Sequence, residues 1–172
     1  MNNRGVNIAE MVVSSDPTDL LIASNLGSCI GVAIYDPVNR IGGLVHCLLP
    51  LSKADPDKAR EKPCMYVDTG VVALLEAMLA KGANKKELLI CVAGGAAINE
   101  ASGVFQIGKK NVTVLRKILW KNNLLIKAHD LEKDFARTIS LNVGTGEVLL
   151  RAKGETYQML PGVNNGIQPA GY

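Results

Sequence analysis

Apolar and polar positions alternate along the first third of the chain and then change period. "VNIAEMVVS" (Val6 to Ser14) and "LLIASN" (Leu20 to Asn25) predict two strands, separated by the turn signal "SSDPTD". Next come two apolar runs around "DPVN" (Asp36 to Asn39), the pattern of a β-hairpin. "LSKADPDKAREKP" (Leu51 to Pro63) predicts a charged loop. From Asp68 the period becomes helical, with Val71, Val72, Leu74, Leu75, Met78 and Leu79 at three- and four-residue steps. Asp68 suits the N-cap and Gly82 the stop. "ELLICVA" (Glu87 to Ala93) predicts a buried strand running into Gly94 and Gly95. A second helix is expected over Asn111 to Asn122, with Val112, Leu115, Ile118 and Leu119 on one face. "NLLIKAHD", "ARTISLN" and "EVLLR" predict later strands, the last two joined by "VGTG".

Helix and strand do not alternate regularly, so the expected class is α+β. The sheets should be mostly antiparallel, with helices covering sheet faces. With 172 residues and 48% hydrophobic content, one core and one domain (1–160) are expected. The Gly/Pro/Asn-rich residues 161–172 are expected to form a loose tail.

Charge adds little. Nineteen basic and sixteen acidic residues give +3, and no Lys/Arg run stands out, which disfavours nucleic-acid binding. No stretch reaches the roughly 18 apolar residues of a membrane span, and no signal-peptide core precedes Ser14. A soluble, cytoplasmic, non-membrane-inserted protein is expected. The four cysteines form no CxxC pair, and the two histidines lack metal-ligand spacing, so no metal or organic cofactor is expected. Cys47 and Cys91 read as small buried hydrophobes, and Cys64 as incidental.

Cys29 is different, because "LGSC" places a thiol where a strand begins. With Asp36 to Asn39 as a four-residue loop, Tyr35 faces Arg40 and Cys29 faces His46. Facing residues have Cβ atoms about 4.5–5.5 Å apart on one face, close enough for sulfur and imidazole to meet. A register one residue longer sets Cys29 opposite Cys47 and turns His46 away. In the first register, an imidazolium would draw the thiol below its ordinary pKa of about 8.5 and make it a nucleophile toward an acyl carbon. His46 would then serve as acid and base, and N–H groups around Gly27, Ser28 and Cys29 could hold an oxyanion. The competing reading is a core cysteine beside a packing histidine.

Motifs in order shift the weight between these readings. "LGSC" (Leu26 to Cys29), "YDP" (Tyr35 to Pro37), "GG-x-x-H-x-x-LP" (Gly42 to Pro50), "YVDTG" (Tyr66 to Gly70), "AGGA" (Ala93 to Ala96), "IGKKN" (Ile107 to Asn111) and "ARTISLNVGTGEVLLR" (Ala136 to Arg151) stand in the order and approximate spacing of one family. The sequence resembles the chemoreceptor glutamine deamidases, the CheD family. The resemblance runs from about Val6 to Arg151. It implies a layered α/β sandwich with two main helices on the outer faces. It also implies hydrolysis of receptor glutamine side chains to glutamate and ammonia, with Cys29 as nucleophile and His46 as its histidine. The implied partners are chemoreceptor cytoplasmic helices and, in some organisms, a CheC-type phosphatase acting on CheY. A weakly active or inactive adaptor on the same fold is the alternative.

The sequence departs from the family pattern in three places. Ala23 replaces a common threonine, and Ser24 next to it supplies that hydroxyl only from a bulged or slipped strand. Lys110 replaces an arginine before Asn111. Glu132 and Lys133 replace paired glycines, where their side chains would reshape the site rim.

Other residues have plainer readings. Gly94 and Gly95 either admit substrate backbone or form a tight exit turn; Gly95 counts among the substrate-binding or oxyanion residues. Asn111 either caps the second helix or serves the site. His129 fits a strand end or a second ionisable group. Met78 and Trp120 fit helix packing. "AGGAAINEASG" lacks the ending of a phosphate loop.

Overall fold

The computed structural model describes residues 1–98 and 106–163. Among the described residues, ten strands form two five-stranded sheets. The strands are β1 (Asn2–Gly5), β2 (Glu10–Ser14), β3 (Asp19–Leu26), β4 (Ile30–Asp36), β5 (Ile41–Cys47), β6 (Leu89–Gly94), β7 (Ile126–Leu131), β8 (Arg137–Asn142), β9 (Val148–Ala152) and β10 (Glu155–Leu160). One sheet has the order β1-β3-β8-β9-β10, the other β2-β5-β4-β6-β7. All pairings are antiparallel except β1 with β3 and β6 with β7. The class is α+β, a sandwich of stacked sheets with an added helical layer.

β4 and β5 are buried at every residue, because both of their faces are covered. Gly31, Ala33, Tyr35, Gly42 and Leu44 face the first sheet, meeting Leu26, Ile139, Leu141 and Val143. Ile30, Val32, Ile34, Val45 and Cys47 face the helices. Fully burying each such Val, Leu or Ile stabilises the fold by about 1.5–3 kcal/mol, so this doubly covered hairpin is the centre of the structure.

The short helix α1 (Pro56–Glu61) lies in the charged loop, with Asp55 accepting from the Lys58 N–H at its N-cap. The main helices are α2 (Val67–Ala80) and α3 (Ile107–Lys121). Both lie on the same outer face, over β4, β5 and β6, burying Val71, Leu74, Met78, Leu115 and Leu119. The outer face of the other sheet carries no helix among the described residues.

Several sequence expectations need correction. α2 starts one residue before Asp68, with Tyr66 at its N-cap; the Asp68 carboxylate instead accepts from the N–H and hydroxyl of Ser52. α3 begins at Ile107, so Asn111 lies inside the helix and does not cap it. Cys64 is buried against the helices. Trp120 is not packed: it is 80% exposed. Strands β1 and β10 escaped notice because both are edge strands of mostly exposed, polar residues. The expected loose tail falls largely on residues outside the described range.

Candidate active site

The hairpin register differs from the one expected. Asp36 pairs with Ile41, Tyr35 with Gly42 and Gly31 with His46, so the loop is Pro37 to Arg40. Asp36 stays in β4, where its carboxylate accepts from the N–H groups of Val38, Asn39 and Asn84. Arg40 closes the turn at φ 54°, a left-handed conformation that its side chain does not announce. Relative to the expected pairing, the strands have slipped by two residues. A slip of one would turn His46 to the helical face; a slip of two keeps its face. Cys29, two residues before Gly31, therefore lies diagonal to His46 on the side facing the other sheet.

Both groups are buried, Cys29 at 6% exposure and His46 at 3%. No hydrogen bond joins them. His46 is oriented from elsewhere: its Nδ1 lies 3.1 Å from the Val6 carbonyl. A carbonyl only accepts, so Nδ1 carries the proton and Nε2 keeps its lone pair. Nε2 is buried and has no partner among the described residues. Val6 is fixed by its own N–H, which donates to the Ile22 carbonyl at 2.7 Å. The residue that sets the tautomer is thus a backbone carbonyl just past β1, which no side-chain motif could reveal.

Burial is the largest influence on both groups. It pushes the Cys29 thiol up, against a smaller opposing pull from its own N–H. It pushes His46 down, against the Val6 hydrogen bond and the nearby Glu10 carboxylate. Both influences favour the uncharged forms, the opposite direction to the thiolate–imidazolium pair anticipated from the sequence.

The loop Gly27 to Cys29 is held by backbone on one side and by Asn111 on the other. The N–H of Gly95 donates to the Cys29 carbonyl and that of Ala96 to the Gly27 carbonyl, each at 2.9 Å. Gly94 takes φ +115°, and a Cβ there would sit 2.0 Å from the Cys29 carbonyl oxygen. The close approach at Gly94 is therefore made by the protein's own backbone. Gly95 and Gly27 both have engaged N–H groups, the latter donating to the Asn25 carbonyl. Those of Ser28 and Cys29 meet no backbone carbonyl among the described residues. From inside α3, the Asn111 amide donates to the carbonyls of Ser28, at 2.8 Å, and Leu48, at 3.1 Å. It bridges the segment before Cys29 to the segment after His46.

Arg137 is the charged residue missed from the sequence. It is 1% exposed, pairs with Asp130 at 2.9 Å, reaches the Gly94 carbonyl at 3.4 Å and stacks on Phe135. The available signal was alternation, since Arg137 shares a face with the buried Ile139 and Leu141.

The departures have definite places. Ala23 is fully buried and faces the other sheet. β3 does bulge, but between Ala23 and Leu26, and Ser24 remains exposed on the outer side. Ser24 and His46 both line a cleft of about 580 Å³ beside Val6, but no hydrogen bond links them. Lys110 is exposed, beside the buried Asn111. Glu132 and Lys133 take φ 66° and 62°, and their backbones bond to Gly94 and Ala97. His129 is exposed on edge strand β7.

Comparison with known proteins gives consistent relatives. The family model "CheD chemotactic sensory transduction" matches residues 48–152, beginning just after His46. "Probable chemoreceptor glutamine deamidase CheD 1" of Syntrophus aciditrophicus is 44% identical over 149 residues, covering 87% of this chain and 93% of that protein. The chain belongs to the CheD family. A "Probable chemoreceptor glutamine deamidase CheD" from Solibacter usitatus is 40% identical, over 91% of this chain and 92% of its own. One from the archaeon Thermococcus kodakarensis is 38% identical, over 85% and 90%.

Proposed function

We propose that the protein is a glutamine deamidase acting on the cytoplasmic helices of chemoreceptors, with Cys29 as nucleophile and His46 as general base and acid. The observation that carries this reading is the buried Nε2 of His46, without a partner among the described residues, its tautomer set by Val6, on the sheet face shared with Cys29. The names of the relatives supply the substrate class.

The chemistry starts from neutral partners. Nε2 takes the thiol proton as sulfur attacks the carboxamide carbon, which removes the need for a standing thiolate. The negative oxygen that forms is held by the N–H groups of Ser28 and Cys29. His46 returns the proton to the departing nitrogen, and ammonia leaves. Water, deprotonated by the same Nε2, then splits the γ-glutamyl thioester into glutamate and free thiol. No metal or organic cofactor enters the sequence of steps. Catalytic hydrogen bonds in a free enzyme are commonly long and tighten with substrate, which fits the unbonded Cys29–His46 pair.

A second reading, an adaptor that binds a receptor or a CheC-type phosphatase without turnover, is favoured by Ala23 and by the buried, up-shifted Cys29. Mass spectrometry of receptor cytoplasmic fragments separates the two. Carboxamide-to-carboxylate conversion by the native protein, lost in Cys29→Ala, is expected. Tight binding with no conversion would select the adaptor.

A further inference from the structure

The outward face of α3 carries charge of one sign. Lys109, Lys110, Arg116, Lys117 and Lys121 are all exposed, and none makes an ion pair among the described residues. The helix contains no Asp or Glu. Its pitch sets Lys109, Arg116 and Trp120 in one row and Lys110, Lys117 and Lys121 in the next. These cations alone exceed the net charge of +3. Spaced along a helix, they form no run in the sequence.

The two ends of the stripe differ. Lys109 lines a small cleft with Gly95 and Glu132, and Gly95 holds the Cys29 carbonyl. At the far end is Trp120, the single tryptophan, 80% exposed. With Leu125, 86% exposed, it walls a cleft of about 500 Å³ that also includes Leu124 and Ile126. A helix of this length spans about 22 Å, so cations lead from the Cys29 loop to an apolar anchor.

We infer that this face is the docking surface for an acidic α-helix, which lays carboxylates along the stripe and an apolar side chain in the Trp120 cleft. A straight double row at helical spacing complements Asp or Glu at three- and four-residue steps on a partner helix. Membrane binding fits poorly, because the apolar face of α3 is already buried in the core. Single-stranded nucleic acid fits poorly as well, because the one aromatic is terminal and not interleaved with the cations. The inference rests on the deamidase reading for the identity of the helix, a receptor segment that brings its glutamine to the Cys29 end.

Trp120 reports directly on this face. The full chain carrying Cys29→Ala, titrated with a chemoreceptor cytoplasmic fragment, should show a blue shift of Trp120 emission. Binding should weaken steeply with salt. Arg116→Glu/Lys117→Glu/Lys121→Glu should weaken it by about tenfold or more. The same reversals in the native protein should leave the alkylation rate of Cys29 unchanged, which shows that the site is intact. Fragment binding without a Trp120 shift, or unchanged by the charge reversals, overturns the inference. So does a shift with anionic vesicles or a single-stranded oligonucleotide but none with the fragment. Conversion of the fragment by native protein is read separately. Charge-dependent docking without conversion keeps this surface and removes the deamidase reading; conversion indifferent to the α3 charges does the reverse.

Discussion

Gly94 lies so close beneath Cys29 that a single added carbon would stand 2.0 Å from the cysteine's carbonyl oxygen. The contact is backbone on backbone, with φ +115° on the glycine side, and no side-chain rotation relieves it. Gly94→Ala therefore strains its own backbone and displaces the loop that carries the thiol. A loss on the order of 3 kcal/mol or more is expected, together with near-complete loss of deamidation. Thermal unfolding and turnover of a receptor fragment check both. An alanine variant of native stability and full activity would show that the thiol loop is held by something else.

Asn111 should divide stability from rate. Its amide ties the Ser28 carbonyl to the Leu48 carbonyl, bridging the flanks of Cys29 and His46. Asn111→Ala removes two hydrogen bonds and leaves two carbonyls facing a gap, costing about 1–3 kcal/mol. Under the proposed mechanism, the expected loss in kcat is larger than stability explains, because a displacement of about 1 Å between Cys29 and His46 can cost about a hundredfold. Asn111→Asp should be worse than alanine, since it aims a buried carboxylate at carbonyl oxygens. Steady-state kinetics at a temperature where each variant stays folded tests the order.

Acid and alkali should act through different groups. His46 is held down by burial, so below pH ~6.5 the unfolded chain takes up its proton more readily than the folded one. Its contribution to stability is complete above that pH and declines as pH falls toward the folded value. Cys29, Cys47, Cys64 and Cys91 are held up by burial, Cys91 to about 11. Their contribution is complete below pH ~8.5 and declines as pH rises toward the folded values. Unfolding midpoints should form a plateau between these limits, and Cys91→Ala should shallow the alkaline limb. Activity should fall on the acid side as Nε2 is protonated. In the free protein Cys29 should alkylate more slowly than an ordinary thiol at neutral pH, the opposite of what a standing ion pair would give.

The sequence disclosed this site unevenly, for reasons visible at individual residues. Alternation in β4 and β5 reported which residues share a face, and a face survives a two-residue slip; Cys29 and His46 were therefore joined through an incorrect register. The register itself turned on Arg40, not its neighbour Asn39, adopting a left-handed backbone, a conformation that arginine does not signal. Helix faces in α2 and α3 were legible because their buried residues recur at three and four. The polar edge strands β1 and β10 were not, since neither buries an apolar face. The orienting group of His46 is a carbonyl, identical in every residue type, and only coordinates place it.

Glu132 and Lys133 offer a test of gain. Both are non-glycine residues in the left-handed region, at φ 66° and 62°, side by side. Their backbones support the site strand: the Glu132 N–H donates to the Gly94 carbonyl, and the Lys133 carbonyl accepts from the Ala97 N–H, each at 2.9 Å. Glycine would keep these bonds and relieve the strain, with some of the gain offset by a freer unfolded chain. Glu132→Gly should raise stability by about 0.5–1 kcal/mol. Lys133→Gly should gain less, because it also removes the ion pair to Asp130 at 3.0 Å and the contact over Phe135. Denaturant midpoints on the two single variants measure the difference. Two losses of stability would show that these left-handed residues are held by side-chain contacts worth more than their backbone strain.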